Sequence, residues 1–260
     1  MKKIIIIFVS AFMLSTNAYA QWSIYNYPSE LNEFAISEEE AVFESPDFKF
    51  ADIRGNVDDI TIERFKTNSS FTTDNSVIEP LCVMRLGFRG KNLATINYST
   101  FNAQNPIFNG SFTGYANDIH YSIFQDKLMK KYYNASVTLN NGAYGHITSD
   151  IDTKRHKDFL KTIIVKKNKK FPGYKIEFTW QDDHVVQTTC EGRTIDYIYD
   201  SDGELASTVD SATSVTSTYE IVLRDRYGNW VVRNITAKSN NLTEYFVEKR
   251  NIKYYSNIYK

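Results

Sequence analysis

Along much of the chain, apolar and polar residues alternate one for one, and the apolar members are mostly aromatic or β-branched. Tyr174, Ile176, Phe178 and Trp180 share one face of a run whose other face is Lys175, Glu177, Thr179 and Gln181. Ile195, Tyr197 and Tyr199 alternate in the same way with Thr194 and Asp196, and Ile119, Tyr121 and Ile123 with His120 and Ser122. Tyr219, Ile221 and Leu223 do so against Glu220 and Arg224. A period of two specifies strands that bury one face, as antiparallel strands over a core do. Short bends separate the runs, among them Gly90-Lys91-Asn92, Asp126-Lys127, Asn140-Asn141-Gly142, Asp182-Asp183, Asp202-Gly203 and Gly228-Asn229. Each supplies the positive φ or the capped bend of a tight hairpin. Helical periodicity is thin: Pro28 to Phe43 and Thr153 to Ile163 are the candidates, and neither sustains an apolar stripe. The pattern therefore predicts an all-β chain, an antiparallel hairpin meander of at least about ten strands forming a curved, repeat-like open sheet. A closed β-barrel or a sandwich is the alternative. In an open sheet the last strand is an edge, and the charges in "FVEKRNIKYY" (Phe246 to Tyr255) would blunt it.

The later bends recur at roughly hairpin spacing, about 20 to 25 residues apart. "IEFTWQDDHVVQ" from Ile176, "IDYIYDSDGELAS" from Ile195 and "IVLRDRYGNWVVR" from Ile221 each run strand, acidic or glycine-containing bend, strand. "YIYDSDGELAS" (Tyr197 to Ser207) resembles the YD repeat of RHS-like secreted bacterial proteins. "DRYGNWVVR" (Asp225 to Arg233) resembles the D-x-x-G-N-W-x-x-R turn that closes many short members. "IRGNVDDITIERF" (Ile53 to Phe65) is similar to their opening strand. The resemblance covers Lys175 to Tyr255 and Ile53 to Phe65, and no tandem array is legible from Thr95 to Lys170. It implies a hairpin architecture and brings no catalytic residues. The structural turn residues it points to are Asp202, Gly203, Asp225, Gly228, Asn229 and Trp230. An aromatic just after a tight bend can lie across the facing strand, so Trp230 is expected to be a structural clamp, with Tyr219 or Leu223 as its partner.

Composition adds an address. Lys2 and Lys3, the apolar run Ile4 to Leu14 and Ala18-Tyr19-Ala20 read as a signal peptide over residues 1–20. Residues 21–50 then form a lead segment and 51–260 a single β-repeat domain, periplasmic or secreted from a bacterium. No later run is apolar enough for a transmembrane helix. With 30 Lys and Arg against 31 Asp and Glu, a nucleic-acid partner is not expected. The one basic run, Lys166-Lys167-Asn168-Lys169-Lys170, reads as a solvated hairpin tip. Cys82 and Cys190 could form a disulfide in an oxidising compartment or remain two separate buried thiols.

Catalytic chemistry has little support. His120, His146, His156 and His184 are not at metal-ligand spacing, and no nucleophile elbow, Walker or dinucleotide motif is present. "DSDGE" (Asp200 to Glu204) lacks the closing acid of a calcium loop. No cofactor is expected. The function expected is an exported non-catalytic protein that binds a glycan or an envelope protein, or that serves as envelope-associated structure. A hydrolase using a dispersed acid pair and an outer-membrane β-barrel are the alternatives.

Overall fold

The structure is a computed structural model that describes residues 43, 45–72, 80–100, 117–123, 136–141, 145–240 and 242–255. The export signal, the bend at Asp126-Lys127 and the candidate helix Pro28 to Phe43 (apart from Phe43 itself) lie outside them. A short helix, α1 (Pro46–Phe50), precedes the strands β1 (Val57–Thr67), β2 (Cys82–Arg89), β3 (Asn92–Thr100) and β4 (Asn117–Ser122). Then come β5 (Ser136–Asn141), β6 (Gly145–His156), β7 (Phe159–Val165), β8 (Tyr174–Gln181) and β9 (His184–Cys190). The chain finishes with β10 (Arg193–Tyr199), β11 (Leu205–Asp210), β12 (Val215–Arg224), β13 (Trp230–Lys238) and β14 (Thr243–Tyr254).

Each strand pairs antiparallel with its sequence neighbours, so the hairpin meander is as expected. Its two ends also meet. β1 pairs with β2 on one side and with β14 on the other, from Val57 opposite Tyr254 to Thr67 opposite Tyr245. The sheet is thus a closed ring of fourteen strands, the closed form that the pattern left beside the open one. The expected edge at Phe246 to Tyr255 is corrected accordingly. β14 is paired on both sides, and closure rather than charge removes the edge.

The alternation read from the sequence sorts residues between the inside and outside of the ring. Tyr174, Ile176 and Phe178 are buried, whereas Lys175, Glu177 and Thr179 between them are exposed. On β1, Ile60 and Ile62 are buried inward, and on β12 Thr216, Thr218 and Glu220 stand on the opposite face from buried Ser217. The candidate helix Thr153 to Ile163 is instead the end of β6, a tight turn and the start of β7. The turn residues Lys157 and Asp158 both take positive φ, 48° and 69°. Asp tolerates that region better than most non-glycine residues but Lys does not, so this pair is a weaker hairpin signal than a glycine bend.

A ring this wide needs filling, and α1 does part of that work. Ser45 is its N-cap, accepting from the Phe48 amide at 3.1 Å while its hydroxyl donates to the Lys91 carbonyl at 2.7 Å. Pro46 fits the first turn, where no amide donor is needed. Asp47 is almost wholly buried. Its carboxylate accepts from the Leu93 amide at 2.7 Å and from both terminal nitrogens of Arg155, at 2.6 and 2.9 Å. The helix is thereby bonded to β3 and β6 at once. Phe48 sets its ring edge-on to Phe88, 5.3 Å away, and Phe50 to Phe178, 5.2 Å away. These contacts carry the main apolar core, which includes Ile53, Ile96, Leu160, Ile163 and Trp230. Each fully buried aliphatic side chain in it contributes roughly 1.5–3 kcal/mol of transfer free energy. The lead segment drawn from 21 to 50 therefore ends inside the barrel, as part of its core.

Candidate functional site

The resemblance motifs place two turns at the end of the ring where α1 enters, and both are built by one aspartate. In the first, the Asp200 carboxylate accepts from the amides of Asp202 and Glu204, both at 2.9 Å. Its backbone closes the loop with Gly203 N to Asp200 O and Asp200 N to Glu204 O. In the second, Asp225 accepts from the amides of Tyr227 at 2.8 Å and Asn229 at 3.0 Å, and its backbone bonds Gly228 and Asn229 in the same pattern. Gly203 and Gly228 occupy the same position at φ 78° and 79°. That conformation costs glycine nothing, which is why it sits there. In the first turn both amides bond to one oxygen, Oδ1, of the Asp200 carboxylate.

A third copy of this turn was not legible. Asn68 replaces the aspartate, accepting from the amides of Ser70 and Thr72, and Phe71 stands where the glycine does, at φ 55°. Without Asp or Gly, "NSSFT" marks the turn only through Asn68 and its serines, a weaker signal. Phe71 sets its ring edge-on to Tyr245, 5.6 Å away, and joins Val231, Val232, Val247 and Leu223 in a separate apolar cluster.

The fifth residue of the second turn reaches further. Asn229 is buried, and its amide side chain pairs with the Arg54 backbone as a neighbouring strand would. It accepts from Arg54 N at 2.7 Å and donates to Arg54 O at 2.9 Å. Asn229 also donates to the Tyr254 hydroxyl at 2.8 Å, and that hydroxyl donates to Asp225. Burial, followed by the bond to Asp225, raises the Tyr254 pKa well above the ordinary phenol value. The last strand, the β12–β13 turn and the segment entering β1 are held at one point.

Trp230 comes next in the chain and is 2 % exposed. Its neighbours correct the expectation of Tyr219 or Leu223 as partner. The Arg250 guanidinium lies over the indole at 3.7 Å from a ring centroid and that of Arg233 at 4.0 Å. Arg233 also lies over Tyr219, at 4.5 Å. Tyr219, Arg233, Trp230 and Arg250 thus form a column of alternating rings and cations along the inner wall. The long arginine side chains reach the indole from the next positions inward on β13 and β14, which a search for hydrophobic cross-strand partners overlooks.

Both arginines of the column are tied down. Arg250 donates to the carbonyls of Asp52 at 2.9 Å and Ala51 at 3.2 Å, just past α1, where a cation complements the open carbonyls. Burial lowers the Arg250 pKa to about 10, so it remains charged at neutral pH. Arg233 donates to Glu248 at 2.6 Å, and Arg64 donates to the other Glu248 oxygen at 2.7 and 3.0 Å. Burial is the largest influence on Glu248 and opposes its charge, but the two arginines outweigh it and hold its pKa at about 2. Among the described residues the indole Nε1 and the Arg250 Nε have no hydrogen-bond partner, and the guanidinium meets the indole through the ring face.

Cys82 and Cys190 carry free thiols. They stand on β2 and β9, half the ring apart in strand order, and bridging them would bring opposite walls together. Burial pushes both thiols up to about 12, which keeps them protonated and unreactive. Of the expected turn residues, Asp225, Gly228, Asn229 and Trp230 converge on one site. Asp202 and Gly203 belong to the separate turn at Asp200. Among the described residues no group of three or more His, Cys, Asp or Glu side chains is placed to hold a metal ion.

No family model matches the chain, and no curated protein does. Among solved structures it is similar to a porin-like protein from Bacteroides uniformis ATCC 8492, at 11 % identity and a TM-score of 0.42. The match covers 76 % of this chain and 96 % of that one.

Proposed function

We propose that this is an exported, non-catalytic β-barrel protein that works by contact, as an envelope-associated structural or binding protein. The observation that carries this reading is how the buried acids are used. Among the described residues Asp47 serves α1 and Arg155, Asp210 binds Arg193 and Thr213, and Glu248 binds two arginines. Hydrolysis by a carboxylate pair calls for one acid with a raised pKa. Asp210 and Glu248 are instead both lowered: burial opposes their charge, and their arginine partners outweigh it.

Closure of the sheet favours one other reading, the outer-membrane barrel. The polarity of the wall argues against it. Lipid-facing strands need a continuous outward apolar band, whereas here Lys175, Glu177, Thr218, Asn251 and Lys253 point outward and interrupt the outward apolar residues, such as Val222 and Val247. The test is fractionation of the native cell followed by pull-down with the chain from Gln21. Recovery in the envelope or periplasmic fraction without detergent, together with a captured glycan or envelope protein, is the expected result. Glycan cleavage by the purified chain, or extraction only in detergent with heat-dependent gel mobility, would replace this function with one of the two alternatives.

A further inference from the structure

The two ends of the ring differ in charge. At the helix end, the described turns carry Asp158, Asp182, Asp183, Asp200, Asp202 and Asp225, with Lys91, Lys157 and Arg226 beside them. At the far end, the β7–β8 connection carries Lys166, Lys167, Lys169 and Lys170, and exposed Lys238 closes β13. Lys166 has an exposed ion pair with Asp152 at 3.3 Å, but Lys167, Lys169, Lys170 and Lys238 have none among the described residues. The described acids of this end are Glu191 in the β9–β10 turn, Asp210 paired with Arg193, Glu244 paired with Lys66, and exposed Asp150 and Asp152 on β6 beside Lys166.

The lysine tip is a fixed platform. Asn168 accepts from the Lys170 amide at 2.9 Å, donates to the Thr148 carbonyl at 3.3 Å and bridges to Phe171. Lys166 is bonded to β6 through Ser149, whose hydroxyl donates to its carbonyl at 2.6 Å. Phe171 closes the tip by burying its ring edge-on to Tyr174, 5.7 Å away. Gly173 lets the chain turn back, since a Cβ there would lie 2.6 Å from the Val165 carbonyl oxygen. The ammonium groups therefore project from a backbone that does not have to be ordered on binding, which lowers the entropic cost of a contact. On the same end, the β13–β14 turn presents Leu242, 49 % exposed.

We propose that this far end docks on an anionic lipid surface, with Lys167, Lys169, Lys170 and Lys238 against headgroup phosphates and Leu242 at the interface. Unpaired lysines on one end of a chain with formal net charge −1 attract and orient it without charge elsewhere having to favour binding. An exposed leucine on that end suits the boundary between headgroups and acyl chains. The proposal rests on the envelope-associated part of the function above and names the surface involved.

Sedimentation with vesicles tests it. The chain from Gln21 is expected to pellet with mixed phosphatidylglycerol–phosphatidylcholine vesicles at low salt, and to be released by salt or by omitting phosphatidylglycerol. Replacing Lys167, Lys169 and Lys170 together by Gln should weaken binding on the order of a hundredfold. Replacing Lys91, Lys157 and Lys161 by Gln removes the same charge from the helix end and the wall beside it, and should cost much less. Leu242→Ser should weaken binding further without changing its salt dependence. Equal losses for the two triple variants, or no binding to the anionic vesicles, would overturn the proposal. Tight binding of soluble dextran sulfate with no vesicle binding would overturn it in favour of an acidic polysaccharide. Neither result bears on the cell-fractionation test, so the two can fail separately.

Discussion

The turns at Asp200–Glu204 and Asp225–Asn229 are made of the same bonds yet have different roles in the molecule. Each is a five-residue loop closed by its aspartate and relaxed by a glycine near φ 80°. They differ at the fifth residue and in the strand that leaves it. Glu204 turns to Arg224, 2.8 Å away at the end of β12, and the chain leaves through half-buried Leu205. Asn229 turns inward to the Arg54 backbone, and the chain leaves through Trp230 into the column of arginines. Local chemistry makes the bend in both places. Only the residue at the end of the bend decides whether it is a surface hairpin or a joint between the lead segment, the last strand and the barrel wall.

The largest expected effect comes from removing that joint's ring. Trp230→Ala should destabilise the fold by roughly 3–5 kcal/mol, because it opens a cavity and leaves the Arg250 and Arg233 guanidiniums facing it. Leu205→Ala, the corresponding change after the first turn, should cost clearly less because Leu205 is only half-buried. Urea denaturation of both variants measures the difference, and equal losses would make the two joints equivalent.

Acid should weaken the column. Glu248 has a folded pKa of about 2 against an ordinary 4.5, so it binds protons more weakly folded than unfolded. Its contribution is complete above about pH 4.5 and is lost as pH falls toward 2. The melting temperature of the wild type should drop more steeply across that range than that of Glu248→Gln, which is already destabilised at neutral pH. Some slope should remain in the variant, because the Asp210 pKa is also lowered: burial resists this, but Arg193 prevails.

Valine at either turn glycine should be strained, since a β-branched residue disfavours positive φ. The penalty should be larger at Gly228, whose added Cβ would lie 3.2 Å from the Arg54 guanidinium, than at Gly203, where the His184 ring is 3.4 Å away. Thermal melts of the two variants rank them. The smallest contrast is in the fifth residue. Asn229→Ala leaves a buried amide and carbonyl of Arg54 without partners and should cost about 1–3 kcal/mol. Glu204→Ala loses a partly exposed ion pair and should cost at most about 1 kcal/mol.

How much could be read in advance depends on where the physics acts. Period-two faces are local, so β8, β10 and β12 and their inward residues are visible in the sequence, as are the glycine turns at Gly203 and Gly228. Closure is not local. Nothing in "IRGNVDDITIERF" says that Ile60 will face Ile252, because the partner strand lies at the other end of the chain. The turns at Lys157-Asp158 and at Asn68 to Thr72 hold Asp, Asn and Ser but no glycine, and they put Lys157 and Phe71 at positive φ, so their signal is weaker than that of the glycine bends. Trp230 is legible as a buried ring after a bend, but its neighbours are not. Arg64, Arg233 and Arg250 look like solvent-facing charges in an alternating strand. They become interior residues only because one glutamate and the carbonyls beyond a short helix lie within their reach.

Hydrogen exchange at a single amide tests the joint most directly. In the folded protein the Arg54 N–H is bonded to the Asn229 side chain at 2.7 Å and should exchange slowly. In Asn229→Ala it should lose that protection, while the amides of β10 and β11 around the first turn keep theirs. Unchanged protection at Arg54 in the variant would show that the second turn is a surface hairpin like the first, and would contradict its role as the tie between the lead segment and the barrel.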